Sequence, residues 1–215
     1  SKKPIIKLVI IAFLTLFSFI PFFMIRSTVK ERQEQQENAT IEISDKWSRS
    51  QLVTGPFICV PYEDYNDADH NYHKRNVYIM PKKLAIKGDV QTQKLHRGIY
   101  DAAVYNSDLI LTGTFDTEDL GGFNPQKCYF DEAKVQMRIS DLRGIENQLQ
   151  LQWDDETYEF ESAGAGNGIQ VAIDLYDSVK HVYNFSIRLQ LKGTQQLKFA
   201  PIGDYSEITL RSDWN

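Results

Sequence analysis

Tyr183 to Lys192, YNFSIRLQLK, alternates without a break: Tyr183, Phe185, Ile187, Leu189 and Leu191 take one phase, and Asn184, Ser186, Arg188, Gln190 and Lys192 the other. Successive side chains of a strand point to opposite faces, so this segregation at a period of two predicts a strand with one buried and one wet face. The same period recurs more briefly in Val135, Met137 and Ile139, in Leu149, Leu151 and Trp153, in Tyr158 and Phe160, and in Leu197 and Phe199.

Asp154, Asp155 and Glu156 divide two of these runs, so Leu149 to Glu161 reads as a hairpin with a short polar turn. Further strands are expected at Phe57 to Val60, Asn76 to Met80, Ile99 to Tyr105, Leu109 to Phe115, Ile169 to Ile173 and Ile208 to Leu210. Closely spaced strands joined by Gly, Asp and Asn turns predict antiparallel sheets forming a sandwich or an open-barrel-like domain.

The other end of the chain has a different character. Leu8 to Ile25, LVIIAFLTLFSFIPFFMI, is an uncharged run of 18 residues. At ~1.5 Å per residue it makes ~27 Å of helix, close to the thickness of a hydrocarbon core. A cleaved signal peptide would share the positive start of Lys2, Lys3 and Lys7. The run exceeds the usual ~7 to 15 residues of such a peptide, and Met24, Ile25 and Arg26 stand where a small-x-small site belongs. An uncleaved transmembrane anchor over 1–25 is the reading. Arg26, Lys30 and Arg32 balance the N-terminal lysines, so charge alone leaves the orientation open. Residues 26–48 begin with a polar stretch rich in Glu, Gln, Lys and Arg and free of Gly and Pro, which predicts a helical stalk that continues the anchor. Residues 49–215 then form the β-rich domain, so the chain is mainly β behind a transmembrane helix.

With 215 residues, 42% hydrophobic and 25% charged, the chain is long enough for one domain plus an appendage and apolar enough to bury a core. The net charge is −5, and removing the three N-terminal lysines leaves 21 basic against 29 acidic residues. That balance argues against nucleic acid as a partner, because phosphate binding needs a basic surface.

Candidate chemistry is sparse. Glu63 to Arg75, EDYNDADHNYHKR, gathers Asp64, Asp67, Asp69, His70 and His73, residue types that ligate divalent metals. An EF-type calcium loop starting at Asp67 would need Gly at its sixth and an acid at its twelfth position, where Tyr72 and Tyr78 stand. Asp67, Asp69, His70 and His73 are therefore weak metal candidates, and a solvated loop between strands is the plainer reading. Gly164, Gly166 and Gly168 precede an expected strand rather than a helix, which fits a turn and not a phosphate cradle. No Gly-x-Ser-x-Gly elbow or Ser-x-x-Lys pair is present, and His96 and His181 have no partner in the nearby sequence pattern. Neither a catalytic residue nor a cofactor site is assigned. Cys59 and Cys128 could pair outside the cytoplasm, closing a loop worth ~4 kcal/mol in the chain-entropy picture, or remain two buried free thiols. Asp141 and Gly144 suit a tight turn after the strand Val135 to Ile139, with Arg143 bonding carbonyls that the turn leaves open. Trp47 and Trp214 each suit either the membrane interface or the core.

A set of ordered segments carries a resemblance. They are the anchor ending in Pro21 and Met24-Ile25-Arg26, Glu31-Arg32-Gln33, Trp47, Gly55-Pro56 with Val60-Pro61-Tyr62, and Tyr78 to Pro81. Next come Arg97-Gly98-Ile99-Tyr100 with Val104-Tyr105, Leu111-x-Gly113-x-Phe115, and Ser140-Asp141-Leu142-Arg143-Gly144-Ile145. Leu191-x-Gly193, Leu197-x-Phe199-x-Pro201-x-Gly203 and Ser212-Asp213-Trp214 close the series. In this order and spread the chain resembles the CreD family of bacterial inner-membrane, cell envelope integrity proteins. The resemblance implies a cytoplasmic N-terminus, one membrane helix, a β-rich periplasmic domain and a further group of transmembrane helices after it, so that this chain is the first half of a longer protein. It implies an envelope role, in integrity and stress response, and transfers no catalytic constellation.

The expectation is thus a non-enzymatic inner-membrane protein whose periplasmic β-domain acts through contacts. Its partners would be the lipid bilayer, other envelope proteins and its own C-terminal transmembrane helices. The rival expectation is an anchored periplasmic receptor module for a small ligand or divalent metal.

Overall fold

A computed structural model of the chain describes residues 3–66, 70–97, 100–117, 128–164, 166, 168–175 and 181–213. It opens with one unbroken helix, α1 (Lys3–Lys46), which takes in both the apolar run and the polar stretch. Its 44 residues make about 66 Å of rod at 1.5 Å per residue. Pro21 lies inside the helix. The part Ile6–Ala39 is long and apolar enough to cross a bilayer, and none of its most apolar window is buried against the rest of the chain. Phe13, Phe17, Phe23 and Ile25 are all more than 60% exposed, so this surface needs an apolar surrounding that the domain does not provide.

Twelve strands follow among the described residues. One sheet has the order β11 (Leu197–Ala200), β1 (Gln51–Asn66), β5 (Lys134–Ile139), β9 (Gly168–Ala172) and β8 (Glu161–Ser162), with β2 (Asn71–Ile79) paired to β1 beyond the end of β11. The other runs β12 (Tyr205–Ser212), β3 (Lys83–Arg97), β4 (Tyr100–Asp116), β10 (Val182–Thr194), β6 (Gln150–Trp153) and β7 (Glu156–Glu159). Neither sheet closes on itself. Their apolar faces share one core: Val53, Ile58, Val135, Met137, Ile139 and Val171 on one side meet Leu84, Ile86, Leu109, Leu111, Ile187 and Leu189 on the other. Each such side chain contributes ~1.5–3 kcal/mol when fully buried. The alternation of Tyr183 to Lys192 lands where its period requires, with Tyr183, Phe185, Ile187, Leu189 and Leu191 in the core.

The structure departs from the sequence expectation in three places. The pairing is antiparallel except at two edges, where β11 runs parallel to β1 and β12 parallel to β3. The reason is where the chain turns: β11 sets off from the stalk end beside Gln51, where β1 also begins, and β12 starts beside Lys83 and follows β3 back toward the stalk. Secondly, Glu63 to Arg75 is mostly ladder rather than loop, with β1 and β2 paired from Ile58↔Ile79 to Asn66↔Asn71. Thirdly, β3 is a full 15-residue strand paired along its whole length with β4, which merges two expected strands into one of 17 residues. The outer halves of β3 and β4 leave the sandwich as a two-stranded arm that lies along α1. Ala102 and Val104 are buried there with Trp47 and Leu95, and Tyr105 O accepts from Trp47 Nε1 at 3.4 Å. Tyr100 Oη donates to Gln35 Oε1 at 3.0 Å, about 17 Å below the end of the helix.

Candidate functional site

The densest polar network among the described residues sits where α1 hands over to β1. The helix stops at Lys46 and leaves its last carbonyls without helical partners. One of them, Asp45 O, accepts from Arg143 Nη1 at 3.5 Å. Arg143 is itself gripped by Asp141 through two bonds, Nε to Oδ1 at 3.0 Å and Nη2 to Oδ2 at 2.8 Å. The same carboxylate accepts the backbone N–H of Arg143 at 3.2 Å, capping the 3-10 turn Leu142–Gly144, and that of Arg49 at 3.1 Å. The Arg143 guanidinium, and then the N–H groups of Arg49 and Arg143 and the Ser48 hydroxyl, hold the Asp141 carboxyl far below the usual carboxylate range against the opposing effect of burial.

Beneath this pair Gln51 is 1% exposed and has its whole carboxamide engaged. The two N–H bonds of its Nε2 are shared among Ser48 Oγ at 2.9 Å, Asp141 O at 3.0 Å and Lys192 O at 3.2 Å. Its Oε1 accepts from Ser140 Oγ and from Asp141 N, both at 3.2 Å. Gly144 closes over the amide so tightly that a Cβ there would lie 2.4 Å from Gln51 Nε2 and 2.5 Å from Lys192 O. Ser140 to Ile145 therefore works as a latch: Asp141 and Arg143 tie the helix end, the first strand and the end of β10 into one joint. Arg143 bonds a carbonyl of the helix end rather than of its own turn, and its main partner is Asp141. Trp47 packs on the arm, and Trp214 lies outside the described residues.

The far end of the chain returns to the same place. Asp213 Oδ1 accepts from both N and Oγ1 of Thr92 at 2.8 Å, and Asp213 lines a small cavity with Trp47 and Tyr105. Trp47 and Asp213 thus lie on one side of the domain, next to the stalk.

Of the metal candidates, His70 and His73 lie among the described residues. Asp67 and Asp69 lie outside the described residues. His70 turns at the ribbon tip with φ 54° and its Nδ1 is 3.3 Å from Tyr65 Oη, while His73 faces Asp64 across the ladder. Among the described residues no group of three His, Cys, Asp or Glu could hold a metal ion. His96 does meet an acid, Asp101 at 2.5 Å, but on the open surface of the arm and not in a cleft. Cys59 and Cys128 are not joined in a disulfide, and burial pushes both thiols upward, with Lys134 partly offsetting this for Cys59. Cys128 bridges Tyr62, three residues from Cys59. That offset is about 10 Å along a strand, beyond the ~7 Å between Cα atoms that a disulfide spans.

The latch is half legible in the sequence. Asp141, Arg143 and Gly144 read as a turn, whereas no local pattern singles out Gln51 and Ser48. Gln51 is in phase with Val53 on the inward side of β1, and a long carboxamide in an inward phase was the available signal.

The family described as inner membrane protein CreD matches residues 3–215. The chain is similar to the inner membrane protein CreD of Escherichia coli (strain K12), 25% identical over 209 residues that cover 93% of this chain and 46% of that relative. It spans about half the length of the curated relative it matches. No solved structure matches it. With an apolar helix of membrane-spanning length, a β-rich domain behind it and a family match over nearly every residue, the chain belongs to the CreD family of inner membrane proteins.

Proposed function

We propose that this chain is a non-enzymatic strut of the cell envelope. α1 crosses the inner membrane with its N-terminus in the cytoplasm, its polar half stands as a stalk, and the sandwich from about residue 49 onward is held in the periplasm. There the domain supports envelope integrity or the envelope stress response by touching other envelope proteins and the transmembrane helices that its relatives' greater length leaves room for.

The observation that carries this reading is the latch. A domain joined by a loose linker would be free to tumble above the membrane. Asp141, Arg143 and Gln51 instead weld helix to sandwich, and the arm braces the stalk lower down through Tyr100 and Gln35. A rigid post with the outgoing chain beside it suits a part that holds or transmits position, with fold-level analogy giving no reaction to assign.

The test is cross-linking of the full-length protein in bacterial membranes, alongside the envelope phenotype of a deletion strain complemented by wild type or Asp141→Ala. The reading expects cross-links from the sandwich to membrane proteins and weaker complementation by the variant. A deletion strain with an unaltered envelope and no cross-linked partner sinks it.

A further inference from the structure

Between α1 and the turn joining β10 to β11 lies an open cavity of about 610 Å³, within the size range of small-ligand sites. One wall is a single helix face bearing Gln33, Gln36, Glu37 and Ile41, spaced by three and four residues. The other wall carries Arg49 and Gln195. The latch uses none of these side chains, and Asp141 engages Arg49 through its backbone N–H alone.

A second observation falls on the same cavity. Gln195 has φ 62°, in the left-handed region that glycine occupies freely and other residues rarely. The turn is drawn tight around it, with Gln196 N donating to Thr194 O at 2.6 Å and Gln195 N to Ala103 O at 3.0 Å. Backbone strain of this kind collects at functional positions. A long carboxamide kept where glycine would sit without strain is accounted for when that carboxamide is used.

We propose that this cavity binds a short peptide with free termini. Carboxamides donate and accept at once, which matches the N–H and C=O of a peptide group, and Gln33, Gln36 and Gln195 supply them from both walls. Glu37 on the helix suits the ligand's ammonium group, and Arg49 on the domain suits its carboxylate. The Arg49 guanidinium is 68% exposed and holds Asp45 only at 3.6 Å, a surface pair that an incoming carboxylate displaces at little cost. Ile41, 48% exposed, offers contact to an aliphatic side chain. A neutral sugar would satisfy the carboxamides but leave both charges unmet. This site does not depend on the strut reading, since a rigid post without a ligand and a post with one share the same latch.

The experiment is calorimetric titration of the whole chain in detergent micelles with trialanine as probe. Saturable binding is expected, weakened about tenfold by Glu37→Gln, by Arg49→Gln, and by blocking the peptide as the N-acetyl amide, with melting temperatures of both variants unchanged. Gln195→Gly removes strain and carboxamide together, so it is expected to melt higher and bind more weakly. No saturable heat up to about 10 mM trialanine overturns the proposal. So does equal affinity for the blocked peptide, or a Gln195→Gly variant that melts higher and binds as before. An N-acetylglucosamine disaccharide that binds as tightly as trialanine assigns the cavity to amide-bearing sugars and overturns the peptide.

Discussion

Two ribbons leave the sandwich in opposite directions, and they differ in what stands beside them. The arm, made by the outer halves of β3 and β4, reaches back along α1 and buries Ala102 and Val104 to 3% and 1% exposure against Trp47. The other ribbon, made by the outer halves of β1 and β2, runs away from the stalk and has no core: β2 is exposed from Asn71 to Asn76. Its base is tied by Lys74 to Glu132 at 2.6 Å and by Tyr129 Oη to Glu63 at 2.6 Å, and toward its tip stand the Tyr65–Tyr72 ring pair at 5.1 Å and the Tyr65–His70 contact at 3.3 Å. An isolated two-stranded ribbon is marginal in water. Equal ladders therefore differ in stability because of a neighbour, and the neighbour exists because the latch holds the stalk in place.

The largest break in that comparison comes from Gly144→Ala. A methyl group would collide with a buried carboxamide and a backbone carbonyl, neither of which can yield without losing hydrogen bonds. A destabilisation of ~3 kcal/mol or more is expected in urea melts, with hydrogen exchange in the arm rising toward that of the far ribbon. An Ala variant that melts like wild type means that the joint is looser than its distances say.

Asp141→Asn comes next, at ~2 kcal/mol near neutral pH. The folded carboxyl is held below its unfolded value, so its contribution is present above the unfolded pKa of ~3.9 and is lost as pH falls through the lower folded value. Wild type is thus expected to lose its advantage over the variant steadily below about pH 4, in melts run along a pH series. A gap that stays constant down to pH 2 would place the effect in packing rather than charge.

What could be read in advance follows from where partners lie in the chain. Tyr183 to Lys192 was legible because one face meets the core and the other meets water along the whole strand. β3 was not legible. Its inward phase begins with Leu84 and Ile86 and then meets Gly88, which cannot be apolar and bulky because a Cβ would lie 2.3 Å from Asp108 O. Beyond it, Gln91 to Arg97 leaves the sandwich, and Leu95, which packs with Ala102 and Val104, falls in the opposite phase. The turn of Asp141 and Gly144 announced itself through local residue types, but its target did not, since Gln51 stands 90 residues away. Glu63 to Arg75 read as loop because a ladder wet on both faces has no hydrophobic period to detect.

Trp47→Ala tests the arm alone. The indole is half-buried against Ala102, Val104 and Leu95, so its removal is expected to cost ~1–2 kcal/mol, below the loss for a fully buried tryptophan. The loss should be local: exchange protection falls for residues 91–106 and stays unchanged in the sandwich core around Leu109 and Leu189. Global destabilisation without a local effect would mean that Trp47 supports the latch and not the arm.

At the small end stands the far ribbon. Tyr65→Ala or Tyr72→Ala removes one cross-strand aromatic contact on a surface where both rings are already more than 40% exposed, so ~0.5 kcal/mol or less is expected in the same melts. Because the tip has no core of its own, this small cost should appear as faster exchange from Glu63 to Arg75 with the melting midpoint barely moved. The pairing of Asp64 with Arg75 at 3.4 Å, both half-exposed, adds little that could spread the loss. A midpoint shift of several degrees from either tyrosine would contradict the comparison, since it would require the tip to be coupled to the sandwich as firmly as the arm is coupled to the stalk.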